Sequence, residues 1–281
     1  MNNTDTLVVK FDKDFPKKLH VASSVECIPG LYENYYNDFD FTFWTLDFNA
    51  EKICGNKSFF KSDPWMLIHK YLLERKKFEC DAIYEPNKKF ICLIFDSTKD
   101  HRKVIYDFIL TNDLDCYVSR IDQNIRLTEI PEHYKNGYHK NNFNYGVPKE
   151  YFMSLIEFVS ETFVKFSSHF SEKTFKPLFY KKPFVTFAGP YYYETLKKYN
   201  FELYNELFDY SFDKNESPDE RLSDILIQIK ELNKLNFREL ESIIEKISDK
   251  IEYNYNTLLN IKSKFHTMNS KHDEQILRFD V

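Results

Sequence analysis

The chain has 281 residues, 42% of them hydrophobic and 18% aromatic, enough to build the core of one large or two small domains. A formal charge of -5 and a sequence pI of about 6.0 supply no global attraction to nucleic acid, although a local basic groove is compatible with them. Only 5 glycines are present, with neither G-x-G-x-x-G nor G-x-x-x-x-G-K-[ST], which argues against a glycine-rich dinucleotide loop and a Walker-type phosphate loop.

The 5 cysteines are scattered without a C-x-x-C pair and read as reduced thiols. The opening MNNTDTLVVKFDKDF has no extended apolar region, and no run approaches the roughly 18 apolar residues of a membrane span, so a soluble, cytoplasmic chain without a membrane span is expected. Residues 1–85 form a weakly patterned first part. Leu7–Phe11 reads as a strand, and the alternation of Phe39–Leu46 predicts another. Asp63 as N-cap and Pro64 at the first helical position predict a helix to about Arg75 that buries Trp65, Ile68 and Leu72. Asp38, Asp40, Asp47 and His20 lie here; solvated loop acids are the commoner case, and Asp40 and His20 are kept as catalytic candidates.

A second part, residues 86–212, opens with the continuous apolar run Lys89–Phe95, the mark of a strand buried on both faces of a parallel sheet. After a polar turn, a helix with Val104, Ile105, Phe108 and Ile109 inward and a strand over Leu114–Val118 complete a βαβ unit. The turn sets Arg102 and Lys103 near a strand's carboxyl end, where they either grip a phosphate or simply solvate a helix start. Residues 119–150 are polar and irregular; His133 and His139 lack the compact spacing of zinc motifs, and a substrate-side loop is the preferred reading.

The stretch Ser154–Pro190 reads as strand, loop, helix, strand: Leu155–Val159, a helix opening at Ser171, and Phe184–Phe187. Glu161 stands just past the first strand, and Glu172 and Lys173 in the helix's first turn. At the carboxyl edge of an open α/β sheet, such a pair suits a nucleotide sugar: the carboxylate accepts from ribose hydroxyls and the ammonium neutralises a diphosphate. The plainer account is an ordinary N-cap, Ser171, followed by a first-turn acid that favours the helix dipole. Tyr191, Tyr192 and Tyr193 then either stack a base or sugar or pack on the sheet. From residue 213 onward the chain is helical. Ser217-Pro218-Asp219-Glu220 is a capping-box signal ahead of Leu222, Ile225, Leu226, Ile229 and Leu232, and a second helix from Asn236 carries Leu240, Ile243, Ile244, Ile247 and Ile251 on one face.

Glu161 followed by Ser171-Glu172-Lys173 resembles the acidic strand end and (S/T)-E-K helix start in the donor half of fucosyltransferases that act at the 3-position of sugars. The block FSEKTFKP…KKPFVTFAGP…YETLKKYNF also resembles a group of phage-type glycosyltransferases with the pattern TEKTFKP, GKPF, G-P-P-G, L-K-x-L-G-F, and the likeness covers about the last two thirds of the chain. The segment around Cys92–Lys103 resembles C-L-N-R-x-x-x-x-H-R of the same group, with Ile94-Phe95-Asp96 where that pattern has Asn-Arg.

The resemblance implies an α/β, GT-B-like fold: an acceptor-side lobe over 1–85, a Rossmann-like donor lobe with a parallel sheet over 86–212, and C-terminal helices over 213–281. It also implies transfer of a sugar from a nucleotide-sugar donor without a bound metal or other cofactor. Ser171, Glu172, Lys173, Arg102 and Lys103 would hold the donor, with Glu172 on the ribose and Lys173 and Arg102 on the diphosphate. Glu161 would serve the donor sugar or positioning, and Asp40 and His20 the general-base role. The acceptor, whether glycan, protein or modified DNA, is left open. The alternative is a non-catalytic binding or assembly protein that keeps the fold.

Overall fold

The computed structural model describes residues 8–11, 18–22, 40–45, 59–61, 85–94, 99–120, 147–162, 164–165 and 170–260, the first four segments as backbone only. Those four are strands β1 (Val8–Phe11), β2 (Lys18–Ala22), β3 (Asp40–Thr45) and β4 (Phe59–Lys61), which form one sheet in the order β1-β2-β3-β4. β1 runs antiparallel to β2, and β3 runs parallel to both β2 and β4. The strands expected at Leu7–Phe11 and Phe39–Leu46 are β1 and β3. The helix expected from Asp63 to Arg75, and His133 and His139, lie outside the described residues.

A second sheet holds β5 (Lys88–Ile94), β6 (Cys116–Arg120), β7 (Ser154–Ser160) and β8 (Phe184–Phe187) in the order β6-β5-β7-β8, every pair parallel. β7 is buried along its whole length and β5 along most of it, which is why both are near-continuous apolar runs. Helix α1 (Asp100–Thr111) joins β5 to β6, and α2 (Glu172–Phe179) joins β7 to β8. The two connections leave the central pair β5 and β7 in opposite directions along the sheet. Right-handed crossovers then place α1 and α2 on opposite faces and open a crevice at the carboxyl ends of β5 and β7. This is a mixed α/β chain with a four-stranded parallel sheet compatible with a Rossmann-like fold.

Two details of the first unit differ from expectation. The buried stripe of α1 is Arg102, Ile105, Tyr106 and Ile109, spaced three, four and seven residues apart, so Val104 turns outward at 49% exposure. Leu114, expected to begin a strand, instead closes the end of α1 by donating its N–H to Ile109 O (3.1 Å), and β6 begins two residues later.

With so few glycines, helices end on other residues. Asp113, Lys181 and Asn200 take positive φ just past α1, α2 and α3 (Tyr192–Lys198). In each case the next N–H returns to the carbonyl five residues earlier: Leu114 to Ile109, Lys182 to Pro177, Phe201 to Leu196. That is the Schellman arrangement, built three times without glycine.

Three further helices follow: α4 (Pro218–Lys234), α5 (Phe237–Lys246) and α6 (Ser248–Asn260). Ser217 caps α4 by accepting from Glu220 N, but the Glu220 carboxylate takes Asn215 Nδ2 at 2.6 Å, so the expected reciprocal box is half formed. The complete box is at α5, where Asn236 and Glu239 exchange bonds of 2.8 and 2.9 Å. The helix expected to run unbroken from Asn236 through Ile251 divides at Ile247, whose side chain stays in the core while its carbonyl accepts from Ile251 N in α6. α4 packs on β8, α5 on β5 and α6 on α2. Their Leu222, Ile225, Ile229, Leu240 and Leu258 belong to the same apolar cluster as Phe90, Phe158 and Phe187 of the sheet. Among the described residues no helix is long and apolar enough to cross a membrane.

Candidate functional site

The crevice at β5 and β7 is built from the ends of three elements. The first is the start of α2. Ser171 has extended backbone angles, and its Oγ accepts from Lys173 N (3.1 Å), the N-cap expected from its residue type and worth about 1 kcal/mol to the helix. The same hydroxyl donates to the carboxylate of Glu161, the first residue past β7, at 2.7 and 2.9 Å to its two oxygens. Thr174 Oγ1 donates to Glu161 Oε1 at 3.3 Å and meets the Tyr192 hydroxyl at 2.8 Å. Lys173 Nζ lies 3.4 Å from Glu161 Oε2 and 3.0 Å from Glu172 Oε1. Glu161 is thus fully enclosed, with 0% exposure, and its charge is met by hydroxyls and an ammonium. It acts as the anchor that fixes α2's first turn to the end of β7.

The second end is the start of α1. His101 Nε2 is 2.9 Å from Glu161 O, and Arg102 Nη2 donates to Thr162 Oγ1 at 2.9 Å. Two consecutive residues of α1 therefore grip two consecutive residues after β7, and the starts of α1 and α2 are tied to the same strand end. Arg102 is buried at 5% exposure, and its charge is a minor influence on Lys173 against the Glu161 and Glu172 carboxylates. The arginine-bearing turn and the acid-lysine pair, 71 positions apart in the numbering from Arg102 to Lys173, meet on one rim of one sheet. The third end, that of β8, contributes its last residue Phe187, whose ring meets His101 edge to face at 5.4 Å.

Electrostatics at this rim favour a lasting positive charge beside a neutral imidazole. Burial alone would depress Lys173, but the Glu161 and Glu172 carboxylates outweigh it and hold the ammonium above its ordinary pKa. His101 is pushed the other way: burial, with help from the Arg102 and Lys99 charges, lowers it to about 4 despite its bond to Glu161 O. The Glu172 and Lys173 side chains keep partial exposure, 14% and 22%.

Of the other expected site residues, Lys103 is exposed and makes no polar contact among the described residues. His20 and Asp40 lie on the neighbouring strands β2 and β3, where His20 pairs with Thr42 and Asp40 with Lys18. Tyr192 and Tyr193 are buried, with their hydroxyls on Thr174 and on Thr186, so they pack and bond within the fold; Tyr191 alone keeps partial exposure. Sequence reasoning missed His101, Thr162 and Thr174. His101 falls on the H-R of the C-L-N-R-x-x-x-x-H-R pattern and Thr174 within TEKTFKP, so the resemblance covered both without giving either a role, and Thr162 had only its place directly after Glu161.

A second polar cluster lies deeper under β7. Tyr151 donates a short hydrogen bond to Glu157 Oε2, and Lys182 bonds Ser154 O while its Nζ sits 4.9 Å from the Tyr151 ring centroid. Burial raises Glu157, against the pull of Lys176, Tyr151 and Lys182, and lowers Lys182 to about 7. Among the described residues, no group of three or more His, Cys, Asp or Glu side chains is placed to hold a metal ion. No protein-family model, no curated protein and no solved structure matches this chain.

Proposed function

We propose that the β5–β7 crevice binds the diphosphate of a nucleotide sugar and that the chain is a glycosyltransferase of GT-B type. The observation that carries this reading is the meeting of Arg102 and Lys173 through the adjacent residues Thr162 and Glu161, at the position in a parallel sheet where phosphate ligands collect. In the transfer, the bond between the sugar's anomeric carbon and the diphosphate breaks with its electrons leaving on the phosphate oxygen. Arg102, Lys173 and the N–H groups opening α1 and α2 meet that charge, a role that preorganised donors fill without a metal. The acceptor oxygen forms the new bond, and its proton passes to a base, for which His20 and Asp40 are the candidates. Glu172 accepts from ribose hydroxyls. Glu161, enclosed as it is, positions Lys173 and the α2 N-terminus and does not touch the sugar.

A non-catalytic binding role is the second reading, and the enclosure of Glu161 favours it, because no bare carboxylate of the β7 end faces the crevice. Calorimetric titration of UDP and GDP tests the shared part. Lys173→Ala should weaken binding about 10- to 100-fold, the loss of one charge-assisted contact, while Lys103→Ala should leave it near wild type. Wild-type affinity in Lys173→Ala removes the assignment. Release of nucleoside diphosphate from a nucleotide sugar then separates transferase from binder.

A further inference from the structure

His101 stands at the second position of α1, between the end of β7 and the edge of Phe187, and the nucleotide reading leaves it without a task. The atom that its Nε2 meets decides its tautomer. Glu161 O is a carbonyl oxygen and can only accept, so the 2.9 Å contact puts the ring proton on Nε2. A neutral ring protonated there carries a bare lone pair on Nδ1. Nδ1 has no hydrogen-bond partner among the described residues, and the residue is only partly buried. Its companions Arg102 and Lys173 are donors only and serve anions; Nδ1 offers the opposite function beside them.

We infer that His101 Nδ1 accepts a hydrogen bond from a hydroxyl of the ligand in the β5–β7 crevice, next to the anionic group held by Arg102 and Lys173. The inference rests on the nucleotide reading and adds a specificity contact to it. Phosphate oxygens that are ionised offer acceptors alone, and a bare nitrogen lone pair gains nothing from them. His101 therefore selects a diphosphate that carries a hydroxyl-bearing sugar, such as a nucleoside diphosphate, over inorganic pyrophosphate.

Two substitutions in the full chain separate this role from the grip on Glu161. His101→Gln keeps an amide N–H near the position of Nε2 and removes the acceptor at Nδ1; His101→Asn keeps an acceptor oxygen near Nδ1 and loses the reach to Glu161 O. Titrations with UDP, GDP and pyrophosphate are run beside thermal melts. His101→Gln should lose about tenfold in nucleoside diphosphate affinity with pyrophosphate affinity unchanged, and His101→Asn should stay within about threefold of wild type. An equal loss for pyrophosphate, or a greater loss in His101→Asn than in His101→Gln, assigns the ring to holding the loop and overturns the inference. Unchanged nucleotide affinity in His101→Gln overturns the contact and leaves the nucleotide reading standing, whereas a wild type that binds neither UDP nor GDP overturns both. Nitrogen-15 spectra of the wild-type imidazole give a check independent of any variant's folding: Nδ1 must be unprotonated and must shift on adding UDP, and a protonated Nδ1 refutes the assignment.

Discussion

Tyr191 carries a backbone conformation that its side chain makes expensive. It holds φ 63° and ψ 19° where the chain leaves Pro190 for α3, in the left-handed region that costs a residue with a Cβ about 1–2 kcal/mol. Asp113, Lys181 and Asn200 share that region, but each closes a helix end in return. Tyr191 begins a helix. Its N–H donates to Asp213 O at 2.7 Å, its carbonyl accepts from Thr195 N and Oγ1 at 3.0 and 2.8 Å, and its hydroxyl makes an exposed 3.4 Å contact to Glu216. Comparing Tyr191→Gly with Tyr191→Ala removes the side chain in both and isolates the dihedral cost. The glycine variant should be the more stable by about 1 kcal/mol, read as a higher urea midpoint at unchanged slope. An alanine variant as stable as the glycine one would show that the position is not strained.

At the scale of elements, β7 and α2 share a run of alternating charges: Glu161, Lys173 and Glu172 at the rim, then Lys176, Glu157 and Lys182 beneath. Lys182 is the one whose burial has a clear pH signature. Its pKa falls from 10.5 to about 7, with burial as the cause and Glu157 opposing it. Between those values the unfolded chain binds a proton that the folded chain does not, so stability gains from this group as pH rises from 7 toward 10.5. Lys182→Met keeps the apolar stem over Tyr151 and removes the titration. Relative to Lys182→Met, the wild type should gain up to about 1.4 kcal/mol per pH unit between pH 7 and 10, measured by denaturant unfolding at each pH. A pH-independent difference between the two would sink the account. The elements themselves were legible where the signal is local: β5 is a continuous apolar run between polar turns, and Ser171 is a cap by residue type. The phase of α1 was not. All four of Val104, Ile105, Phe108 and Ile109 read as inward; Arg102 and Tyr106 join Ile105 and Ile109 in the buried stripe, Phe108 packs at its margin and Val104 is left outside. Nor was the break at Ile247 legible, because an apolar residue at helical spacing looks the same inside a helix as at a junction.

At the scale of the molecule, the rim's two halves were legible separately, as Arg102 and as Ser171-Glu172-Lys173, because each follows a recognisable strand. What joins them was not, since His101 and Arg102 reach residues 60 positions away and no local pattern records such a contact. The C-terminal helices differ: their apolar faces point to packing on the sheet, and in the structure they complete its core. Arg221 of α4, 1% exposed, bonds Val164 O in the loop that leads to α2 and Asn215 O ahead of its own helix. At the opposite end of α4, Asn233 O takes Lys89 Nζ (2.6 Å) and Asn233 Oδ1 takes Asp115 N (3.0 Å), at the amino ends of β5 and β6. α4 thus spans the sheet from the rim that holds the site to the edge that starts it. Without α4, α5 and α6 the sheet would expose the side chains that now meet Leu222, Ile225, Ile229 and Leu240, a loss of several buried aliphatic groups at about 1.5–3 kcal/mol each. Four such groups together come to about 6–12 kcal/mol, comparable with the whole net stability of an ordinary domain, about 5–15 kcal/mol. A chain ended after residue 212 should therefore show no cooperative urea transition and poorly dispersed amide resonances. A sigmoidal transition near the full chain's midpoint would mean that the sheet and its crevice stand without the helices, and that the core is divided where the sequence turns helical.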